Sequence, residues 1–191
     1  MPTLRYLTLT LLLGALGMLP LSAQANDTTW QSLGEGGLVI LMRHALAPGL
    51  GDPPEFERDR CETQRNLSEE GRAQARAIGE AFRERDIPIG AVYSSSWCRA
   101  LDTAELMQLG DVEPAPWLDS FFRGRGDREA ITQTARDRIA AWQASGNMLL
   151  VTHQVNITAL AGRGVGSGEM LVVRPAADGL EVVGRLDVRA P

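Results

Sequence analysis

The reactive chemistry of this sequence is concentrated in two histidines and a few arginines. Arg43-His44 follows the unbroken apolar run Leu38–Met42, and His153 follows Met148-Leu149-Leu150-Val151-Thr152. The chain has no other histidine. Arg99 lies just past Ser94-Ser95-Ser96, which ends the short apolar stretch Ala91-Val92-Tyr93. Two guanidiniums and two imidazoles brought to one point make an anion site. Arginine's planar fork matches phosphate oxygens, and its charge persists at any working pH. A neutral imidazole in such a site is a nucleophile near pH 7, provided one ring nitrogen is free and the other keeps its proton. Arg43, Arg99 and His153 would then hold and neutralise a bound anion such as phosphate. Two histidines with no tight acidic cluster make a poor zinc site, so no metal or other cofactor is expected. The chain has no lysine, which removes Schiff-base and P-loop chemistry.

The elements that must position these groups follow from patterning. A β-branched and aliphatic run such as Leu38–Met42 is how a strand buried on both faces reads. Met148–Thr152 and Ala91–Tyr93 read the same way. A helix is expected from Ser68 as N-cap to about Arg85, with Glu69 and Glu70 in its first turn and Ala75, Ile78, Ala81 and Phe82 inward. Others are expected after Ser96 (Trp97, Ala100, Leu101 and Ala104 on one face), over Asp127–Ser145, and over Val155–Leu160. Pro114 and Pro116 bracket an irregular connection. Residues 48–66 form a Pro- and Gly-broken loop that would shape access to the site. Met170–Arg174 and Leu180–Val188 read as two edge strands joined at Asp178-Gly179. The alternation implies an α/β fold, a three-layer α/β/α sandwich with a mainly parallel central sheet. Arg43, His44, Arg99 and His153 then share one rim of it. Arg99 in the first turn of a helix opposes the dipole, which makes sense if an anion sits there. Arg123, Arg125 and Arg128 either help hold an anionic substrate or decorate a solvated turn.

Leu41-Met42-Arg43-His44-Ala45 resembles the Arg-His-Gly signature of the histidine phosphatase (phosphoglycerate mutase-like) superfamily. Ser94–Arg99 with Thr103-Ala104 is similar to its second arginine motif, and Val151-Thr152-His153 to its second histidine motif. Leu67–Ala75 (Leu-Ser-x-x-Gly-x-x-Gln-Ala) matches a further pattern of that family. The resemblance implies a phosphoglycerate mutase-like fold and a phosphatase in which His44 becomes phosphohistidine. Gln154, where the acid phosphatase branch has aspartate, points to the mutase-like branch. Ala45 and Gln154 depart from the glycines usual after each histidine. The general acid of that branch maps nearest to Asp119, after Leu118, with Glu169 as fallback. Among members, the chain looks most like small exported ones related to lipopolysaccharide-core heptose-phosphate phosphatases. That implies a small phosphorylated substrate, an envelope sugar phosphate. A phosphohistidine-protein phosphatase and a non-catalytic phosphosugar-binding protein are the competing expectations.

Residues 1–25 carry Arg5, an apolar stretch over Leu7–Leu21, and Ala23-Gln24-Ala25, the layout of a secretory signal peptide cleaved near Ala25. The alternative is an uncleaved anchor. A single domain over 26–191 and a periplasmic location are expected. The full chain carries a net charge of −5, and losing Arg5 makes it one more negative. So acidic a chain is a poor general binder of nucleic acid, and a monomer is expected. Cys61 and Cys98 are an even pair in an exported chain, and a disulfide between them is expected rather than two free thiols.

Overall fold

A strand apolar on both faces must be covered on both, and the sheet is built that way. The computed structural model describes residues 21–176 and 179–188. Its strands are β1 (Val39–Arg43), β2 (Ile89–Ser94), β3 (Val112–Pro114), β4 (Asn147–Thr152), β5 (Met170–Ala176) and β6 (Gly179–Leu186). They form one sheet in the order β3-β2-β4-β1-β5-β6. β1, β2, β3 and β4 run parallel, while β5 and β6 are antiparallel to their neighbours. Along β1 the side chains alternate between two cores. Ile40 and Met42 face one, with Ile78, Phe82, Ala104 and Met107. Val39 and Leu41 face the other, with Leu118, Ala135, Ile139 and Ile157. The helices follow: α1 (Leu21–Glu35), α2 (Glu69–Arg83) and α3 (Cys98–Met107) cover the first face, α4 (Arg128–Ala140) and α5 (Gln154–Ala161) the second. This is the expected three-layer sandwich.

Ser68 caps α2, its side chain accepting from the Gly71 N–H. Asp127 caps α4 by accepting from Glu129 and Ala130. Several expectations need correcting. β5 is interior, because β6 extends the sheet beyond it; the edges are β6 and β3. β3 falls at the start of the connection that the prolines mark as irregular, and at an edge Pro114 needs to donate no ladder bond. The Asp127 helix stops at Ala140, and Trp142 turns back so that its indole N–H donates to Gly146 O. The hairpin turn at Asp178 lies outside the described residues. α1 runs straight through the expected cleavage position at Ala25. Further along it Thr29 and Leu33 are buried, and Trp30 meets Phe82 edge to face at 5.0 Å. Among the described residues no helix is long and apolar enough to cross a membrane.

Candidate active site

β1, β2 and β4 end side by side, and each hands over to a polar residue at its carboxyl end. His44 leaves β1 with its own N–H bonded to Thr152 O, so the two histidine-bearing strand ends are stitched together. The segment after His44 is fixed from three sides. Ala45 N–H donates to Thr103 Oγ1 at 3.0 Å, Leu46 N–H donates to Gln74 Oε1 at 3.0 Å, and Leu46 O accepts from Ser68 N–H at 3.1 Å. Gly71 lets α2 approach so closely that a Cβ there would stand 2.0 Å from Leu46 O. The Leu67–Ala75 pattern thus clamps the loop that follows His44. Its clamping consumes the N–H groups of Ala45 and Leu46, which are therefore not phosphate donors.

His44 is 2% exposed. Its Nδ1 lies 2.8 Å from Ala45 O, a pure acceptor, so Nδ1 carries the proton and Nε2 the lone pair. Arg99 Nε donates to that Nε2 at 3.2 Å. Burial, then the Arg99 charge, hold the His44 pKa well below the ordinary histidine value. His153 stands next to it, ring centroids 5.4 Å apart. Its pKa is likewise held well below the ordinary value, by burial first and then by His44 and Arg99. Arg43 donates to Val165 O at 3.3 Å, while its buried Nε has no hydrogen-bond partner among the described residues. A buried donor left open in a site of this kind fits an incoming acceptor.

The anion at the start of α3 is part of the protein. Asp52, in the 48–66 loop, takes Arg99 Nη1 at 2.7 Å and the Trp97 indole N–H at 3.0 Å. Burial alone would raise its pKa; Arg99 and the other donors outweigh that and lower it. Burial brings the Arg99 guanidinium down to about 10, against the pull of Asp52, so it stays charged at working pH. Arg65, in the same loop, bonds Gly51 O and Ala47 O and joins the site. Cys61 and Cys98 are disulfide-bonded, with Cα atoms 5.7 Å apart. Gln64 Oε1 accepts from Cys98 N–H beside the bridge. Neither Asp52 nor Arg65 stood out in the sequence, where both sit among Pro, Gly and charged residues typical of a solvated loop.

Arg43, His44, Asp52, Arg65, Arg99 and His153 line one cleft, which also receives Arg123, Arg125, Phe122 and Leu50. His153 is the N-cap of α5, whose first residues Gln154 and Val155 reach the same cleft. Asp119 does not reach it. Its Oδ1 accepts from Ser95 Oγ at 3.2 Å and Ser96 N–H at 2.7 Å, and Arg58 approaches Oδ2 at 3.5 Å. Asp119, the expected acid, thus stands one side chain back from the cleft, linked to His153 through Ser95, while Leu118 packs into the core beside it. Ser95 Oγ lies 2.8 Å from His153 Nε2. Since that hydroxyl proton goes to Asp119, the ring nitrogen donates to Ser95. Glu169, the fallback, is also outside the cleft, bonded to Arg185 and to Gly166 N–H, with its pKa lowered by the Arg185 bond first. Arg128 stays away from the cleft, its guanidinium over the Phe121 ring.

Residues 39–121 match the family model of the histidine phosphatase superfamily (branch 1). No curated protein matches the chain. Solved structures agree in fold. The protein histidine phosphatase SixA complexed with tungstate is 17% identical, with a TM-score of 0.58 over 78% of this chain and 96% of that one. A candidate alpha-ribazole-5'-P phosphatase from Escherichia coli is 16% identical, with a TM-score of 0.61 over 81% and 98%. A mycobacterial glucosyl-3-phosphoglycerate phosphatase in complex with VO3 is 19% identical, with a TM-score of 0.55 over 80% and 98%. The resemblance read from the motifs therefore holds both in sequence over β1 to the segment after β3 and in fold.

Proposed function

We propose that this protein is an exported phosphomonoesterase that works without a metal, through a phosphohistidine at His44, on an envelope sugar phosphate in the periplasm. One observation carries the reading: His44 presents the lone pair of Nε2 to an arginine-rich cleft while Nδ1–H is held by a backbone carbonyl. A ring so fixed attacks without first losing a proton. Nε2 bonds to phosphorus as the ester P–O bond breaks, and the leaving oxygen takes up one proton. Water then attacks phosphorus, the P–N bond breaks, and one proton returns to solvent. Arg43, Arg65 and Arg99 surround the phosphoryl oxygens with His153 beside them, and the arginine charge so preorganised is the main catalytic resource in phosphoryl transfer. Export rests on the layout of residues 1–25.

The second reading, a phosphohistidine-protein phosphatase, is favoured by one feature. Neither Asp119 nor Glu169 faces the cleft, and the carboxylate that does, Asp52, is held ionised by Arg99. A phosphohistidine substrate brings a leaving imidazole that can carry its own proton, whereas an alkoxide needs one. The deciding experiment is rapid quench of the purified protein with a labelled phosphomonoester. Base-stable, acid-labile label is expected on wild type and absent from His44→Ala, with turnover unaffected by chelators. No label under burst conditions, or label surviving in His44→Ala, would overturn the reading. A parallel panel of sugar phosphates and a phosphohistidine protein ranks the two substrate classes.

A further inference from the structure

The arginines of the cleft outnumber what one phosphoryl group requires. Arg43, Arg65, Arg99, Arg123 and Arg125 all line it, in a chain that is acidic overall. Asp52 neutralises Arg99. Arg43 and Arg65 then match the two charges of a phosphate monoester dianion. Arg123 and Arg125 remain, and among the described residues neither is paired with a carboxylate.

Both are held in place by the surrounding framework. Arg125 lies over the Phe56 ring at 4.3 Å, Phe56 stacks on Trp97 at 5.2 Å, and Trp97 abuts His153 at 5.5 Å. The cation is thus tied through two aromatic rings to the catalytic centre. Arg123 has φ +57°, a left-handed conformation that costs a residue other than glycine. Its guanidinium rests against Gly51, where a Cβ would stand 3.5 Å from Nη1. A solvated turn has no need of this placement. Two cations held unpaired at the mouth of a cleft focus potential on an anion entering it.

We propose that Arg123 and Arg125 form a second anion subsite, so that the preferred substrate is a phosphomonoester carrying a second anionic group, a carboxylate or a further phosphate. The proposal rests on the phosphomonoesterase reading and deepens it. The test compares kcat/KM on glucose 6-phosphate with that on 6-phosphogluconate and on glucose 1,6-bisphosphate, at fixed ionic strength. Wild type should prefer at least one of the two substrates with a second anionic group by about tenfold, as two partly exposed charge pairs allow, and which one identifies the group bound. In Arg123→Gln/Arg125→Gln the ratio should fall towards one. Calorimetric binding of the same three compounds to His44→Ala should show the same order without turnover. Equal kcat/KM on all three compounds in wild type, or an unchanged preference in the double variant, overturns the subsite while leaving the phosphatase reading intact. Absence of any phosphohistidine with these esters would instead strike that reading, and the calorimetric order alone would then decide the subsite.

Discussion

Arg99 Nε donates to His44 Nε2 across 3.2 Å, so the lone pair that would attack phosphorus is already engaged by a cation. The contact keeps the imidazole neutral and aimed, and an incoming phosphoryl group must take the place of this bond. Arg99 cannot wander when released, because Asp52 and Arg65 O hold its other end.

The first prediction concerns pH. Both histidines have folded pKa values below the unfolded value of about 6.5. The unfolded chain therefore binds more protons as the pH falls, and stability present above about pH 7 is lost on acidification below 6.5. The slope is up to about 1.4 kcal/mol per pH unit for each histidine. Urea unfolding at pH 7.5, 6.5 and 5.5 checks it, and His153→Gln should flatten the dependence. For the same reason the acid limb of kcat/KM, corrected for ionisation of the substrate, should lie below 6.5; a limb at or above that value would contradict the neutral buried ring.

If the Asp119–Ser95–His153 hydrogen-bond chain serves to orient His153, its members act through that ring and not on the leaving group. Asp119→Asn and Ser95→Ala should each lower kcat by about tenfold, the scale of one lost hydrogen bond to a polar group in a buried network. The loss should be equal on p-nitrophenyl phosphate and on a sugar phosphate. A far larger loss on the sugar phosphate would restore Asp119 as the general acid.

Reduction of Cys61–Cys98 should destabilise the protein by about 4 kcal/mol at most, from the loop it closes. The affinity for orthovanadate should weaken as well, since the bridge pins the loop carrying Asp52 and Arg65 beside Arg99. Mass spectrometry of non-reduced peptides should find the linked pair in protein from an oxidising compartment; fully alkylated thiols there would refute it.

Gly71→Ala should cost about 1–3 kcal/mol by overpacking and reduce activity as well, because the added methyl drives into Leu46 O two residues from His44. Gly34→Ala, in open space within α1, should instead raise stability by about 1 kcal/mol. Thermal unfolding of the pair, with p-nitrophenyl phosphate assays, separates a site effect from a general one.

The buried strands and the two histidines were legible because a strand covered on both faces must be apolar, so polar residues at its end stand out. Arg43, His44, Arg99 and His153 indeed converge. Asp52 was not legible: its partner Arg99 is 47 residues away in sequence, and nothing local distinguishes it from a solvated aspartate. Asp119 was legible only in part. Position after Leu118 places the residue beside the site, but the direction of its side chain is set by Ser95 and the Ser96 N–H across the connection. β3 was hidden by its proline, which only the edge position excuses.

α1 lies against β6, and Gly184 admits it so closely that a Cβ there would fall 2.1 Å from Thr29 Oγ1. The fold's first helix is therefore completed by its last strand, across nearly the whole described sequence. Closing so long a loop is entropically slow relative to local pairing. For a polypeptide emerging amino end first, Thr29 meets its seat only when Gly184 has followed, so this seam closes only once nearly all of the chain has been made.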